Sequence, residues 1–365
     1  MKILFYLVHP AKFQFHKVQI NKLISNGHTV DVVINTKDIL EDLVKEEGWN
    51  YTNIFPKSRK IKGVHVYIAA VISIFKTVYR LWKITKGKKY DLFVGDLTTI
   101  LGRLKRVPSL YPTDDVLVAV PEQAIFFKTA SHIIAPVITN IGKYSKKKIG
   151  YNGYKALAHL HPNHFQPNIN RLFTEIQKNV PFFIIRCTGF MATHDLNKSG
   201  ITNETLFKLR EILEPHGRIF ITSERKLPDE LEKYNLKIKK NDIAHYIAFA
   251  KIFISDSTTM STEAAVLGTP SVEFDEYFYE IDQMLELEHK YGLINCFRTY
   301  QEKEFLQKIK ELLLMENIKD VYAIRRKKLL EDTIDVSSFL IWFYENYPKS
   351  VKQYFQNPDV QNNFK

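Results

Sequence analysis

Short apolar runs alternate with amphipathic stretches along most of this chain, and that alternation restricts the fold more than any other feature. KILFYLV at 2–8 is continuously apolar, the pattern of a strand buried on both faces of a parallel sheet. His9 and Pro10 follow at its carboxyl end, and 13–25 reads as a helix that stops at Gly27. Strands are expected at 29–34, 90–94 (YDLFV) and 116–120 (VLVAV), with helices at 36–47 and 66–83. The pattern restarts at Pro181, with strands at 182–186 (FFIIR), 218–222 (RIFIT), 251–255 (KIFIS) and 271–274 (SVEF). Helices are expected at 202–213 and 242–250. Strand, helix, strand at this spacing implies βαβ units and parallel sheets. The expected class is therefore α/β, with two Rossmann-like domains at 1–167 and 168–335 and a cleft between them. The Gly-, Pro-, Asn- and His-rich stretch at 150–167 marks the end of the first domain, and 168–178 reads as a connecting helix. The aromatic tail at 336–365 is too apolar to be free and is expected to pack back on the N-terminal domain.

With 365 residues the chain has material for two cores, and 45% hydrophobic with 25% charged residues suits a soluble globular protein. Two cysteines, Cys187 and Cys296, provide neither a disulfide framework nor a metal cluster, as expected of a cytoplasmic protein. MKILFYLVHP reads as a strand and not as a signal peptide. The longest apolar run, VHVYIAAVISIF at 64–75, is well short of the roughly 20 residues that span a bilayer. The formal charge is +12, with basic clusters at 57–62, 83–89, 143–148 and 325–328. No zinc finger, RNA-recognition signature or aromatic-basic repeat accompanies them, so nucleic acid is not the expected partner. Most of these lysines read as solvated faces. Their best functional reading is peripheral contact with an anionic membrane, at its inner face, or with a phosphorylated lipid acceptor.

ISDSTTMSTEAAVLGTP at 254–270 reads as strand, polar turn, helix and stop. Asp256, Ser257, Thr258 and Thr259 offer an N-cap and a row of hydroxyls, Gly268 a C-cap, and Pro270 ends the helix. The free N–H groups of such a helix start attract an anion, most often a phosphate. Glu263 lies within two turns, in reach of a ribose attached to that phosphate. An ordinary capped helix with a solvated Glu263 is the competing reading. No GxxxxGK[ST] occurs, so this is not a P-loop. Asp96 and Glu122 each follow an expected strand end, where a carboxylate serves as acid or base, or as an N-cap. His9 and Lys12 gain interest from position alone, at the carboxyl end of the first strand. His159, His161 and His164 fit no standard zinc spacing and are interrupted by Pro162, so no metal site is expected.

GYKALAHLHPNHFQP, ATHDLNKSG, ITSERKLP, DSTTMSTEAAVLGTP, YGLI and WFYENYP together resemble a prokaryotic family of unassigned function that is classed with GT-B-fold proteins. The resemblance covers essentially the whole chain and implies a GT-B arrangement of the two domains. DSTTMSTEA is also distantly similar to the UDP-binding segment of non-hydrolysing UDP-N-acetylglucosamine 2-epimerases. That similarity implies that Ser257, Thr258 and Thr259 hold phosphates and Glu263 holds ribose. GDLTT at 95–99 resembles the segment carrying a catalytic Asp in those enzymes, which points to Asp96; VPEQA at 120–124 points to Glu122, and HPAKF at 9–13 to His9. Two threonines replace two glycines, His9 stands for an Arg, and a His-Arg-Arg-Glu-Asn motif is missing, with Arg186 and His194 in that general region. These departures weigh against epimerisation and leave nucleotide-sugar binding in place. Ser223, Arg225 and His245 complete the expected substrate-binding set. The expected function is a glycosyltransferase that uses a nucleotide-diphosphate sugar and a glycan or lipid-linked acceptor, in surface polysaccharide or glycolipid synthesis. No cofactor or metal is expected. The alternatives are a nucleotide-sugar 2-epimerase and a non-catalytic nucleotide-sugar-binding protein.

Overall fold

The computed structural model describes residues 1–365 except 37–38, 58–65, 115–122, 175, 177–179, 190–199 and 277. The chain forms two compact units, Met1–His159 with Ile334–Lys365, and Leu160–Thr333.

The first unit holds a seven-stranded parallel sheet of β1 (Lys2–Leu7), β2 (Thr29–Asn35), β3 (Tyr51–Phe55), β4 (Leu92–Val94), β5 (Ser109–Pro112), β6 (His132–Pro136) and β7 (Lys148–Tyr151). Their order is β3-β2-β1-β4-β5-β6-β7, and β1 pairs in parallel with both β2 and β4. Central β1 is buried over its last five residues, as its unbroken apolar run requires. Its helices are α1 (Pro10–Ser25), α2 (Leu40–Glu46), α3 (Val66–Ile84), α4 (Thr98–Lys105), α5 (Ala124–Thr129) and the single turn α6 (Leu157–Leu160). Leu81, with Ile74, Val78 and Ile84, seats α3 on the sheet against Leu4, Tyr6 and Phe93.

The second unit holds β8 (Phe182–Cys187), β9 (Arg218–Ser223), β10 (Ile252–Ser255), β11 (Ser271–Phe274) and β12 (Ile294–Phe297), all parallel, in the order β12-β11-β10-β8-β9. Its helices are α7 (Asn203–Leu213), α8 (Ile243–Phe249), α9 (Thr258–Leu267), α10 (Asp282–His289), α11 (Glu302–Leu314) and α12 (Ile318–Asp332). The chain then returns to the first unit with α13 (Val336–Glu345) and α14 (Lys349–Gln356).

The first crossing between units falls at 159/160 and not at 167, because GYNGYKALAHL at 150–160 supplies the end of β7 and most of α6 to the first unit. The expected helix at 168–178 is replaced, where the chain is described, by one 3-10 turn at Ile169–Arg171. The Asn168 side chain caps that turn by accepting from the Asn170 N–H at 2.9 Å, and Leu172 is already extended. The strand expected at 116–120 lies outside the described residues.

α13 is held against α1 by a buried polar chain. Gln19 Nε2 donates to the Phe15 carbonyl at 2.7 Å and to Ser337 Oγ at 3.2 Å, and Ser337 Oγ donates to the Ala158 carbonyl. His16 Nδ1 lies 2.7 Å from Gln19 Oε1, so the imidazole donates there. Asp335 caps α13 by accepting from the Ser338 N–H at 3.0 Å. The last segment also supplies the Tyr354 hydroxyl, which accepts from the Gly150 N–H at 2.8 Å, and Gln361 Oε1, which accepts from the Asn152 N–H at 2.6 Å.

Burial, partly offset by the Gln19 hydrogen bond, pushes His16 down from 6.5 to about 3. The folded protein keeps this ring neutral while the unfolded chain protonates it below 6.5. Its contribution to stability is therefore complete above 6.5 and is lost as pH falls from 6.5 towards 3. The thermal midpoint of the parent should drop more between about pH 7.5 and about pH 5 than that of His16→Gln. Equal drops would show that His16 takes up its proton in the folded state.

Candidate functional site

In parallel sheets the loops at the strands' carboxyl ends spread apart where strand order reverses, and ligands enter there. Each unit has one such point. In the first it lies between β1 and β4, and in the second between β8 and β10.

At the first unit's point the β1–α1 turn carries His9 and Lys12. His9 is exposed and is the N-cap of α1, its Nδ1 accepting from the Ala11 N–H at 3.1 Å. Asp96 follows β4 but does not cap α4, whose N-cap position is Leu97. Its half-buried carboxylate lies 3.7 Å from Lys12 Nζ, which also donates to the Pro112 carbonyl at the end of β5. Gly95, at φ +129°, lets the chain pass close to β1; a Cβ there would sit 2.6 Å from the Tyr6 carbonyl oxygen. Glu122 lies outside the described residues.

Sequence reasoning missed a second ion pair on this edge. Lys155 Nζ binds Asp114 Oδ1 at 3.0 Å, and both line a small cavity with Lys12 and Tyr151. Burial works to raise the Asp114 carboxyl, but Lys155 and then Lys12 hold it below its usual value. No sequence signal linked these residues, because the parallel pairing of β5, β6 and β7 brings together positions 41 apart.

In the second unit Ser257 is the N-cap of α9, and its hydroxyl makes no cap hydrogen bond. Gly268 closes the helix in the left-handed region at φ 81°, and Arg326 Nε donates to the Val266 carbonyl at 2.8 Å. Thr258 and Thr259 occupy the first two helical positions, and half-buried Glu263 the sixth. Arg186 lies on the strand beside β10, paired with Ser255. Its guanidinium is held by Glu224 Oε1 and by Thr222 Oγ1, the latter at 3.2 Å.

Asp256 was expected to help cap the helix. It instead turns towards the β8–α7 loop, accepting from the Thr188 N–H at 2.7 Å and the Ile201 N–H at 3.1 Å. It thereby holds the residue that follows β8 and one that precedes α7; His194, between them in sequence, lies outside the described residues. Burial raises Asp256 to about 7 against those two N–H donors. Arg225 donates to the Ile201 carbonyl, and Ser223 Oγ is committed to a local turn, donating to the Arg225 carbonyl at 2.7 Å. His245 stands apart from this group, on α8. Its Nδ1 accepts from the Asn168 N–H at 3.1 Å and its ring stacks on Phe165 with centroids 4.7 Å apart. The unit thus gathers Arg186, Arg225 and the Ser257–Thr259 turn on one sheet edge, while His245 supports the 165–168 segment.

Beneath α9 lies Glu273, fully buried on β11 and paired with Ser255, its Oε2 accepting from Ser261 Oγ. Burial, then the neighbouring Asp275, raises it well above the carboxylate range. The raised carboxyl favours its neutral form, which does not cancel the positive end of α9. Among the described residues no group of three or more His, Cys, Asp or Glu is placed to hold a metal ion.

The fold is that of GT-B proteins. A UDP co-structure of S. aureus MnaA is 12% identical with a TM-score of 0.67, covering 96% of this chain and 97% of that one. The UDP-GlcNAc 2-epimerase from Neisseria meningitidis bound to UDP-GlcNAc is 17% identical, with a TM-score of 0.62 and coverage of 91% and 100%. The spinosyn rhamnosyltransferase SpnG complexed with thymidine diphosphate is 13% identical, with a TM-score of 0.60 and coverage of 94% and 100%. No family model and no curated protein matches this chain.

The buried acid gives a stability test. Glu273→Gln keeps the shape, the neutrality and an acceptor for Ser261, and should change unfolding free energy by less than about 1 kcal/mol near neutral pH. Glu273→Ala removes both the packing and the acceptor and should cost about 2–4 kcal/mol. Urea unfolding reads both; a glutamine variant as weak as the alanine one would show that the carboxyl is charged.

Proposed function

We propose that this chain is a metal-independent GT-B glycosyltransferase that uses a nucleotide-diphosphate sugar, in surface polysaccharide or glycolipid synthesis. The observation that carries the reading is the start of α9 at the switch point of the second sheet. There an uncommitted Ser257 hydroxyl and two threonines open the helix, and Arg186 lies on the adjacent strand, in register with Ser255. The structural neighbours with UDP, UDP-GlcNAc or thymidine diphosphate bound support a nucleotide-diphosphate ligand.

In this reading the diphosphate lies on the N–H groups of α9 and on Ser257, Thr258 and Thr259, with Glu263 on the ribose. The first unit holds the acceptor and the base. Asp96, uncommitted to capping, takes the proton of the acceptor hydroxyl as that oxygen bonds to the anomeric carbon. The bond from that carbon to the diphosphate breaks, and the charge that develops is stabilised by the helix start and by Arg186. Glu224 now occupies Arg186, so the donor competes with it for the guanidinium. A 2-epimerase is the second reading, favoured by the neighbours of that activity and by Asp96 at the end of β4.

Glu263→Ala should weaken nucleotide-sugar binding about tenfold to a hundredfold, the loss of one hydrogen bond to a charged group. Asp96→Asn should bind nucleotide like the parent and turn over about two to four orders of magnitude more slowly. Calorimetric titration and product analysis read both. An Asp96→Asn variant with normal turnover would remove Asp96 as the base, and an isomerised sugar nucleotide without free UDP would establish epimerisation.

Turnover should also survive EDTA, because the helix start stands in for a cation. Loss on chelation that magnesium or manganese restores would overturn the metal-free mechanism.

A further inference from the structure

α3 has two apolar faces where the sheet needs one. Ile74, Val78, Leu81 and Ile84 face the core. On the other side Ile68, Val71, Phe75, Tyr79 and Trp82, spaced three or four residues apart, form a continuous stripe, each between 41% and 71% exposed. A stripe this long and this aromatic is far beyond the scattered exposed apolar residues of an ordinary surface.

The surrounding charge identifies what covers it. From Gly48 to Tyr90 the sequence has ten Lys and Arg and no Asp or Glu. Exposed Lys76 and Lys83 lie on α3 itself, and exposed Lys86, Lys88 and Lys89 follow its end. Lys105 of the neighbouring α4 places its ammonium 5.0 Å over the Trp82 ring, with exposed Leu104 and Arg103 on the same helix. Apolar and aromatic side chains in a stripe flanked by lysines make an interfacial helix: the rings enter the headgroup–acyl boundary and the ammonium groups stay with lipid phosphates. Among the described residues no helix is long and apolar enough to cross a membrane.

We propose that α3 is a membrane-surface helix that lays Phe75, Tyr79 and Trp82 into the interface of an anionic bilayer. This does not depend on the reaction proposed above. It goes beyond charge attraction by naming the element that inserts and the depth-sensitive residue, Trp82.

The test uses the full chain with vesicles of about three parts phosphatidylcholine to one part phosphatidylglycerol. Trp82 is the exposed tryptophan, Trp49 being buried and Trp342 half-buried, so its emission reports insertion. The parent should sediment with these vesicles, shift its emission to the blue, and be quenched by brominated acyl chains. Trp82→Phe should bind without that signal. Phe75→Ser with Tyr79→Ser should keep the parent's thermal midpoint, since both rings are exposed, and bind about tenfold or more weakly. Equal binding to pure phosphatidylcholine, no quenching of the parent, or full binding by the double variant would each overturn the proposal. So would self-association of the parent, abolished in the double variant, without vesicle binding; the stripe would then be an interface between two copies.

Discussion

The first unit depends on a buried polar seam. Gln19 joins α1 to α13, and Ser337 carries the connection to the Ala158 carbonyl, so three segments distant in sequence share one set of hydrogen bonds. A buried amide or hydroxyl left unpaired costs more than a paired one contributes, so each of these groups requires the other two segments. That interdependence makes the return of the chain through α13 part of the sheet's own core. Phe5 of central β1 is flanked by His16 and by Tyr344, rings from both helices.

The same economy of polar groups shapes the two candidate sites. The switch points bring loops from different strands together, and each must hold its own backbone in place before it can hold a ligand. Asp256 does this for the β8–α7 loop through two N–H groups, and Ser223 does it for the turn after β9. Asp96 and Ser257 differ from them in being unclaimed by a helix cap. Beneath α9 the raised affinity of buried Glu273 for its proton disfavours a charge that would oppose an anion there.

How much was legible follows from element length and from the local reach of the signal. The runs KILFYLV and FFIIR announced β1 and β8 because burial on both faces selects apolar residues, and RIFIT announced edge strand β9 through the alternately buried Ile219 and Ile221. YTNIF, SLYP, HIIAP, KIGY and INCF were not read as strands; each is four or five residues long and most contain Pro, Gly or polar residues. They become strands by pairing with a sheet already present, a tertiary contribution that propensity does not carry. At the site, the α9 start was readable from Asp-Ser-Thr-Thr and Gly268. The direction of the Asp256 carboxylate, the Lys155–Asp114 pair and the Ser261–Glu273 contact were not, since each is set by a partner from another segment.

The two units differ in how their chain is laid out. The second is one continuous stretch, Leu160–Thr333, whereas the first needs both Met1–His159 and Ile334–Lys365. A ribosome delivers these pieces in order, and domains form as their sequence emerges. The later-coded unit can therefore complete its core first. The earlier one waits, with the side of α1 that carries Gln19 still uncovered by α13, until Ile334–Lys365 leave the exit tunnel. During synthesis that side of α1 is the surface a chaperone would meet.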